Sequence, residues 1–237
     1  MRHIIVSFML AAMLCGCGNK VEEDSYFPLA TGTRWAYTVS SESDGNASRE
    51  NHVISVIKQI TQDNRQVAVR RSESEQNIGV EYWISTLPDR FVRIAQRSDL
   101  EERATMDAQP RTVLPVPLRK GSAWTTLTTT YFILRKSEFP RELKYSHKAL
   151  MTYTVESVDE TVTVPAGQFS NCARVSGLAF LTLYTDPVRG FHKVPLVTNE
   201  WYCKGIGLVK LERIEELSTA FFSGGKMSME LTEYVLP

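Results

Sequence analysis

The sequence predicts an all-β protein with little helix: a curved antiparallel meander or open half-barrel, built from one sheet or from two fused similar halves. Two observations carry this. From Tyr26 onward, apolar and aromatic residues alternate with polar ones in run after run, the period of a half-buried strand. Turn-forming residues separate these runs at short intervals, which favours hairpins over βαβ crossovers. A third observation sets the class. With 43% hydrophobic, 10% aromatic and 23% charged residues among 237, the chain is composed like a folded globular protein.

The elements follow in order. Trp35, Tyr37 and Val39 mark the first strand, and 52–60, 66–71, 79–84 and 90–95 continue the pattern. Residues 100–109 are ambiguous, because Glu101-Glu102-Arg103-Ala104 also suits a helical turn. Further strands are read at 123–134, 150–158, 161–164, 171–180, 208–214 and 227–235. Between them the turn signals are Asp44-Gly45-Asn46, Asp63-Asn64, Pro88-Asp89, Pro165-Ala166-Gly167 and Gly224-Gly225. Residues 177–184 are largely apolar on both alternating faces. They read first as a strand buried on both sides, and otherwise as one whose outer face meets a ligand or partner. Phe221-Phe222 falls near an expected hairpin tip.

One motif recurs. Pro28-Leu29-x-x-Gly32-x-x-Trp35 returns as Pro117-Leu118-x-x-Gly121-x-x-Trp124, and Glu81-Tyr82-Trp83 is echoed by Glu200-Trp201-Tyr202. The repeated order points to a diverged duplication with halves at 26–109 and 113–237, the second half longer by about 30 residues. Gly supplies the tight turn before a strand, and the Trp three residues later anchors the core.

The N-terminus carries an address. Arg2 precedes the apolar run Ile4 to Leu14, which reads as a secretory signal peptide and is too short to span a bilayer. Leu14-Cys15-Gly16-Cys17 resembles a bacterial lipobox, with Cys15 where Ala or Ser is usual. That resemblance implies a signal peptide of residues 1–16, a palmitate-type acyl anchor on Cys17, and a tether over residues 17–25. With Gly18 rather than Asp after the cysteine, it implies the outer membrane, facing the periplasm. Several acyl chains hold where one would not. The other reading is ordinary cleavage near Gly18 or Asn19, with Cys17 incidental.

Three further motifs carry a family resemblance: Tyr26-Phe27-Pro28-Leu29-x-x-Gly32-x-x-Trp35-x-Tyr37, Val164-Pro165-Ala166-Gly167-Gln168-Phe169 with Cys172, and Trp201-Tyr202-x-x-Gly205-Ile206-Gly207-Leu208-Val209. In that order they resemble a set of β-rich bacterial envelope proteins, many of them lipoproteins, described as uncharacterised or TapB-like. The resemblance implies an extracytoplasmic β domain and supplies no catalytic residues. Its outline is similar to half-barrel carriers of acyl chains, an analogy of fold only.

The chemistry is sparse. His52, His147 and His192 have no metal-ligand spacing, and no nucleophile elbow, phosphate loop or dinucleotide fingerprint occurs. The sequence therefore points to no enzyme, no metal and no cofactor. With 27 Lys+Arg against 27 Asp+Glu there is no basic excess for nucleic acid. Residues 135–148 hold a local positive excess, read as a solvated loop or as a contact for lipid phosphates. In an oxidising compartment Cys172 and Cys203 invite a disulfide closing about 32 residues, with free buried thiols as the alternative. The partners expected are the membrane through the anchor and an envelope protein. The alternative is a lipid or other hydrophobic ligand on the concave face, with Trp35, Trp83, Trp124 and Trp201 as candidate lining.

Overall fold

A computed structural model describes residues 24–135, 147–188, 190–219 and 221–237. Among them there is no helix. Thirteen strands form one antiparallel sheet: β1 (Arg34–Ser43), β2 (Asn46–Gln62), β3 (Arg65–Ser74), β4 (Val80–Leu87), β5 (Arg90–Ser98), β6 (Thr105–Pro115), β7 (Ala123–Thr129), β8 (Leu134–Arg135), β9 (Lys148–Val164), β10 (Gly167–Asp186), β11 (Gly190–Cys203), β12 (Gly207–Ser218) and β13 (Phe222–Val235). The order across the sheet is β6-β5-β4-β3-β2-β1-β13-β12-β11-β10-β9-β7, and β8 pairs with β13 off this path.

Two six-stranded meanders thus meet where β1 pairs with β13, Arg34 facing Val235 and Ser43 facing Gly225. The sheet curls until its outer strands, β6 and β7, approach each other. There the ladder stops, and among the described hydrogen bonds Arg111 alone crosses the gap, donating to the Leu127 carbonyl at 3.5 Å. The open half-barrel of the sequence reading is therefore a nearly closed barrel with one seam zipped and one unzipped.

The two motif copies build the same turn. Gly32 sits at φ 95° and Gly121 at φ 82°, the left-handed region that glycine enters without penalty. Gly32 N–H donates to Val56 O, and Val56 N–H returns a bond to Thr33 O; Gly121 and Ser122 exchange the same pair with Val155. Ala30 O and Arg119 O accept from the residue after each glycine. The aromatic echo is offset, however. Tyr82 and Tyr202 face inward and Trp83 and Trp201 outward, but the order is reversed, so Glu81 and Glu200 lie on opposite faces.

The core occupies one end of the barrel. Trp35, Tyr37 and Leu231 are almost wholly buried there with Phe27, Val56, Ile84, Leu114, Val155 and Val209. The Trp35 indole donates to Ile206 O at 2.7 Å and the Tyr37 hydroxyl to Leu208 O at 2.8 Å, so both large aromatics are satisfied where they are buried. The three family motifs converge at this end. Pro28 sits against Gly207, where a Cβ would come within 3.2 Å, and Ala166 N–H donates to Leu231 O. Cys172 and Cys203 face each other across β10 and β11 and form a disulfide. On the chain-entropy view, closing a loop of this size contributes roughly 3–4 kcal/mol.

Three readings need correction and a fourth is settled. Residues 190–203, not among the strands read from the sequence, form β11. Residues 100–109, a strand in the sequence with a helical turn as the other reading, are strand from Thr105 onward, where β6 pairs with β5. Gly224 and Gly225 are no turn but lie inside β13. A Cβ on Gly224 would collide with the Glu215 carbonyl, and one on Gly225 with Glu42 O at 2.5 Å, so close strand approach is what these glycines serve. Residues 177–184 are buried on their inner side only.

Candidate functional site

Strand alternation assigns each side chain to the inner or outer face. On the inner face, cross-strand neighbours run Trp124, Tyr153, Gly177, Thr198, Arg213 and Met227 in one row, and Val175, Glu200, Leu211, Met229 and Val39 in the next. On the first meander Val56, Arg70, Tyr82, Ile84, Arg93 and Arg111 continue this face. At the margin of this core the inner residues are less fully covered: Arg70, Tyr82, Trp124, Tyr153, Glu200 and Met227 all point inward, Tyr82, Trp124, Tyr153 and Met227 against the core, yet keep some solvent contact.

The four candidate tryptophans do not form one lining. Trp35 belongs to the packed core. Trp124 lies on the inner face, stacked on Tyr153 with ring centroids 5.3 Å apart, and its buried Nε1 has no partner. Trp83 and Trp201 lie on the outer face. Trp201 donates to Glu160 Oε2 at 2.9 Å, beside the Arg174–Glu160 ion pair, and Lys210 sits over its ring. Cys17 lies outside the described residues, as do most of residues 135–148.

The inner polar groups were not legible as a site in the sequence. Arg213 and Glu215 form a buried ion pair at 2.8 Å. Glu215 accepts from the backbone N–H of Tyr131 and Phe132, both at 2.9 Å, and Arg213 reaches Thr129 O and stands over the Tyr131 ring. Together they fasten the chain between β7 and β8 across the end of the barrel opposite the core. Below this strap, Ile133, Met151, Ala179, Leu183, Val194 and Leu196 make a second, smaller core. Burial pushes the Glu200 carboxyl above the usual range, with the Tyr202 hydroxyl, which donates to it at 2.6 Å, and Arg213 pulling the other way. Burial also lowers His52, which hydrogen-bonds Ser72.

Nearer the unzipped seam, Arg93 pairs with Asp107 through two 2.8 Å hydrogen bonds, and Arg111 reaches the same carboxylate at 3.4 Å. Arg70 differs. Its guanidinium lies 4.6 Å from the Phe27 ring centroid and 5.1 Å from that of Trp35, it makes no hydrogen bond or ion pair among the described residues, and its Nε is buried without a partner. Among the described residues no group of three or more His, Cys, Asp or Glu is arranged to hold a metal ion.

The outer face carries a contrasting feature. Where the β10–β11 hairpin outruns its partners β9 and β12, Leu178, Phe180, Tyr184 and Phe191 project outward with Leu150 of β9, and Phe191 is 74% exposed. Lys193 lies over the Phe180 ring at 4.1 Å. Two shallow concavities of about 660 and 570 Å³ flank the β1–β2 turn and share Glu42 and Lys226, which pair with each other. No helix among the described residues is long and apolar enough to cross a membrane.

No family model matches the chain, and no curated protein does. Two solved structures are similar. A protein from Bacteroides fragilis, described as exported and of YmcC-like fold, aligns over 90% of this chain and 100% of its own at 14% identity and a TM-score of 0.50. A protein from Parabacteroides distasonis, described as a lipoprotein, aligns over 90% of this chain and 99% of its own at 15% identity and a TM-score of 0.45. The first likeness is one of fold.

Proposed function

We propose that this is an exported protein, anchored by acyl chains on Cys17 in the outer membrane and facing the periplasm, which acts without catalysis by making protein contacts in the cell envelope. The observation that carries the reading is the outward apolar surface of Leu150, Leu178, Phe180, Tyr184 and Phe191 on the projecting β10–β11 hairpin. Apolar side chains held outward in one patch mark interaction surfaces. The hairpin edges beyond Leu178 and Val197 also leave backbone donors and acceptors unpaired by β9 and β12, which an extended partner segment would satisfy. The lipobox-like Leu14-Cys15-Gly16-Cys17 and the description of the Bacteroides fragilis neighbour as exported agree with the address.

The test places a photo-crosslinking residue at Tyr184 in intact cells. A discrete partner band is expected, and it should vanish when Phe180 and Phe191 are both changed to Ser, with the unfolding midpoint left within about 0.5 kcal/mol of wild type because both side chains are exposed. A band that survives the double substitution removes this surface from the function. Anchoring is tested separately: Cys17→Ser should accumulate as an unlipidated precursor, and release of a cleaved soluble form would overturn the anchor.

A further inference from the structure

A guanidinium enclosed on an inner barrel face ordinarily has a carboxylate partner, since an uncompensated buried charge is costly. Arg93 and Arg213, on that face, both follow that rule here. Arg70 does not. Phe27 and Trp35 hold its plane by cation–π contact, which uses the faces of the group and leaves its in-plane N–H donors free. On the same face Arg93 and Arg111 share the single carboxylate of Asp107, and Glu50, opposite Val39, has a buried Oε2 without a partner. His52 also lies close, and Tyr37, Tyr82 and Tyr202 surround the group with phenols whose burial keeps Tyr37 and Tyr202 protonated. Glu200 is occupied by Tyr202. This part of the inner face therefore carries a guanidinium with a set of unused donors. Around it, Tyr82, Trp124, Tyr153 and Met227 present apolar surface that is only partly packed.

We propose that the inner face of the barrel holds an anion-binding site centred on Arg70, which takes the carboxylate or phosphate head of an acyl amphiphile while the partly packed aromatic surface toward Trp124 receives its chain. The site is independent of the outer hairpin surface, and it replaces the four-tryptophan lining with Arg70 as the specificity element and Trp124 and Tyr153 as the apolar wall.

The experiment titrates the purified protein with bromododecanoate, bromododecyl phosphate and uncharged bromododecanol, whose bromine quenches nearby tryptophan. Saturable quenching by an anionic probe is expected, at least about tenfold tighter than by the alcohol, because charge-assisted hydrogen bonds are the strong ones. Quenching by the carboxylate alone or by the phosphate alone identifies the head group. Arg70→Met should lose that tenfold preference and bind the alcohol as wild type does, whereas Arg70→Lys should keep part of it. Without ligand, Arg70→Met should unfold at the same or a higher denaturant concentration than wild type, because an unpaired charge has been removed. Equal binding of anionic and uncharged probes by wild type overturns the proposal, and so does the absence of quenching by any probe. An Arg70→Met variant that is less stable but keeps full anion preference assigns Arg70 to packing against Phe27 and Trp35 and overturns it as well. Because the comparison of probes on wild type stands alone, a variant that fails to fold leaves the test intact.

Discussion

The two Pro-Leu-x-x-Gly-x-x-Trp copies make the same backbone turn and meet different fates. At the first, Trp35 is 1% exposed and donates to Ile206 O across the zipped β1–β13 seam. At the second, Trp124 is partly exposed, stacks on Tyr153, and leaves its Nε1 unpartnered beside the unzipped β6–β7 seam. The local sequence dictates the turn, but the environment of the Trp depends on whether a ladder brings the opposite strand within reach. A motif can therefore be structurally complete in one copy and have spare capacity in the other, and the spare capacity lies on the side where the inner face is incompletely packed.

The comparison is broken or sharpened most strongly at the tryptophans themselves. Trp35→Ala should cost about 3–5 kcal/mol, as expected of a large aromatic deleted from a packed core, and Trp124→Ala about 1–2 kcal/mol for a partly buried stack. Urea unfolding midpoints of the two variants measure this, and equal losses would mean that Trp124 is as much a core residue as Trp35. The turns should behave alike. Gly32→Ala and Gly121→Ala each force a side chain into positive φ with no severe clash, so each should cost about 1–2 kcal/mol. A large difference between them would show that the shared hydrogen bonds conceal unequal turns. The smallest effect is at His52, four residues before Val56. The matching position before Val155 is Met151, which cannot titrate. Because burial lowers His52 below its ordinary 6.5, the folded state favours the neutral ring. Its contribution is present above pH 6.5 and is lost as pH falls through the lowered value. His52→Gln should therefore flatten stability below pH 6.5 by a fraction of a kcal/mol, while Met151→Leu leaves the pH profile unchanged.

Much of this architecture was legible from residue order. Alternation located most strands, because a sheet with one packed face imposes period 2 on its sequence. Gly32 and Gly121 announced their turns because few other residues tolerate that backbone. The in-out sense of residues 177–184 was less legible. Leu178, Phe180 and Tyr184 are as apolar as the inner Ala179, Leu181 and Leu183, and only the curl of the sheet, which turns one set into the barrel, leaves the other exposed. The Arg213–Glu215 latch and the solitary Arg70 could not be read at all. Arg213 and Glu215 are two residues apart on β12, but the Tyr131 and Phe132 amides that Glu215 holds lie far away in the chain, and nothing local shows that Arg70 lacks a carboxylate.

The sequence by itself determined the all-β class, the paired turns and Cys172 with Cys203 as a candidate pair, since each rests on local chemistry or on periodicity along one strand. Only the tertiary structure decided which tryptophans face inward, which seam is zipped and which arginine goes unpaired. Those outcomes depend on how far the sheet curls and on which strands end up adjacent, and curvature and adjacency are summed over the whole barrel rather than encoded at any one position.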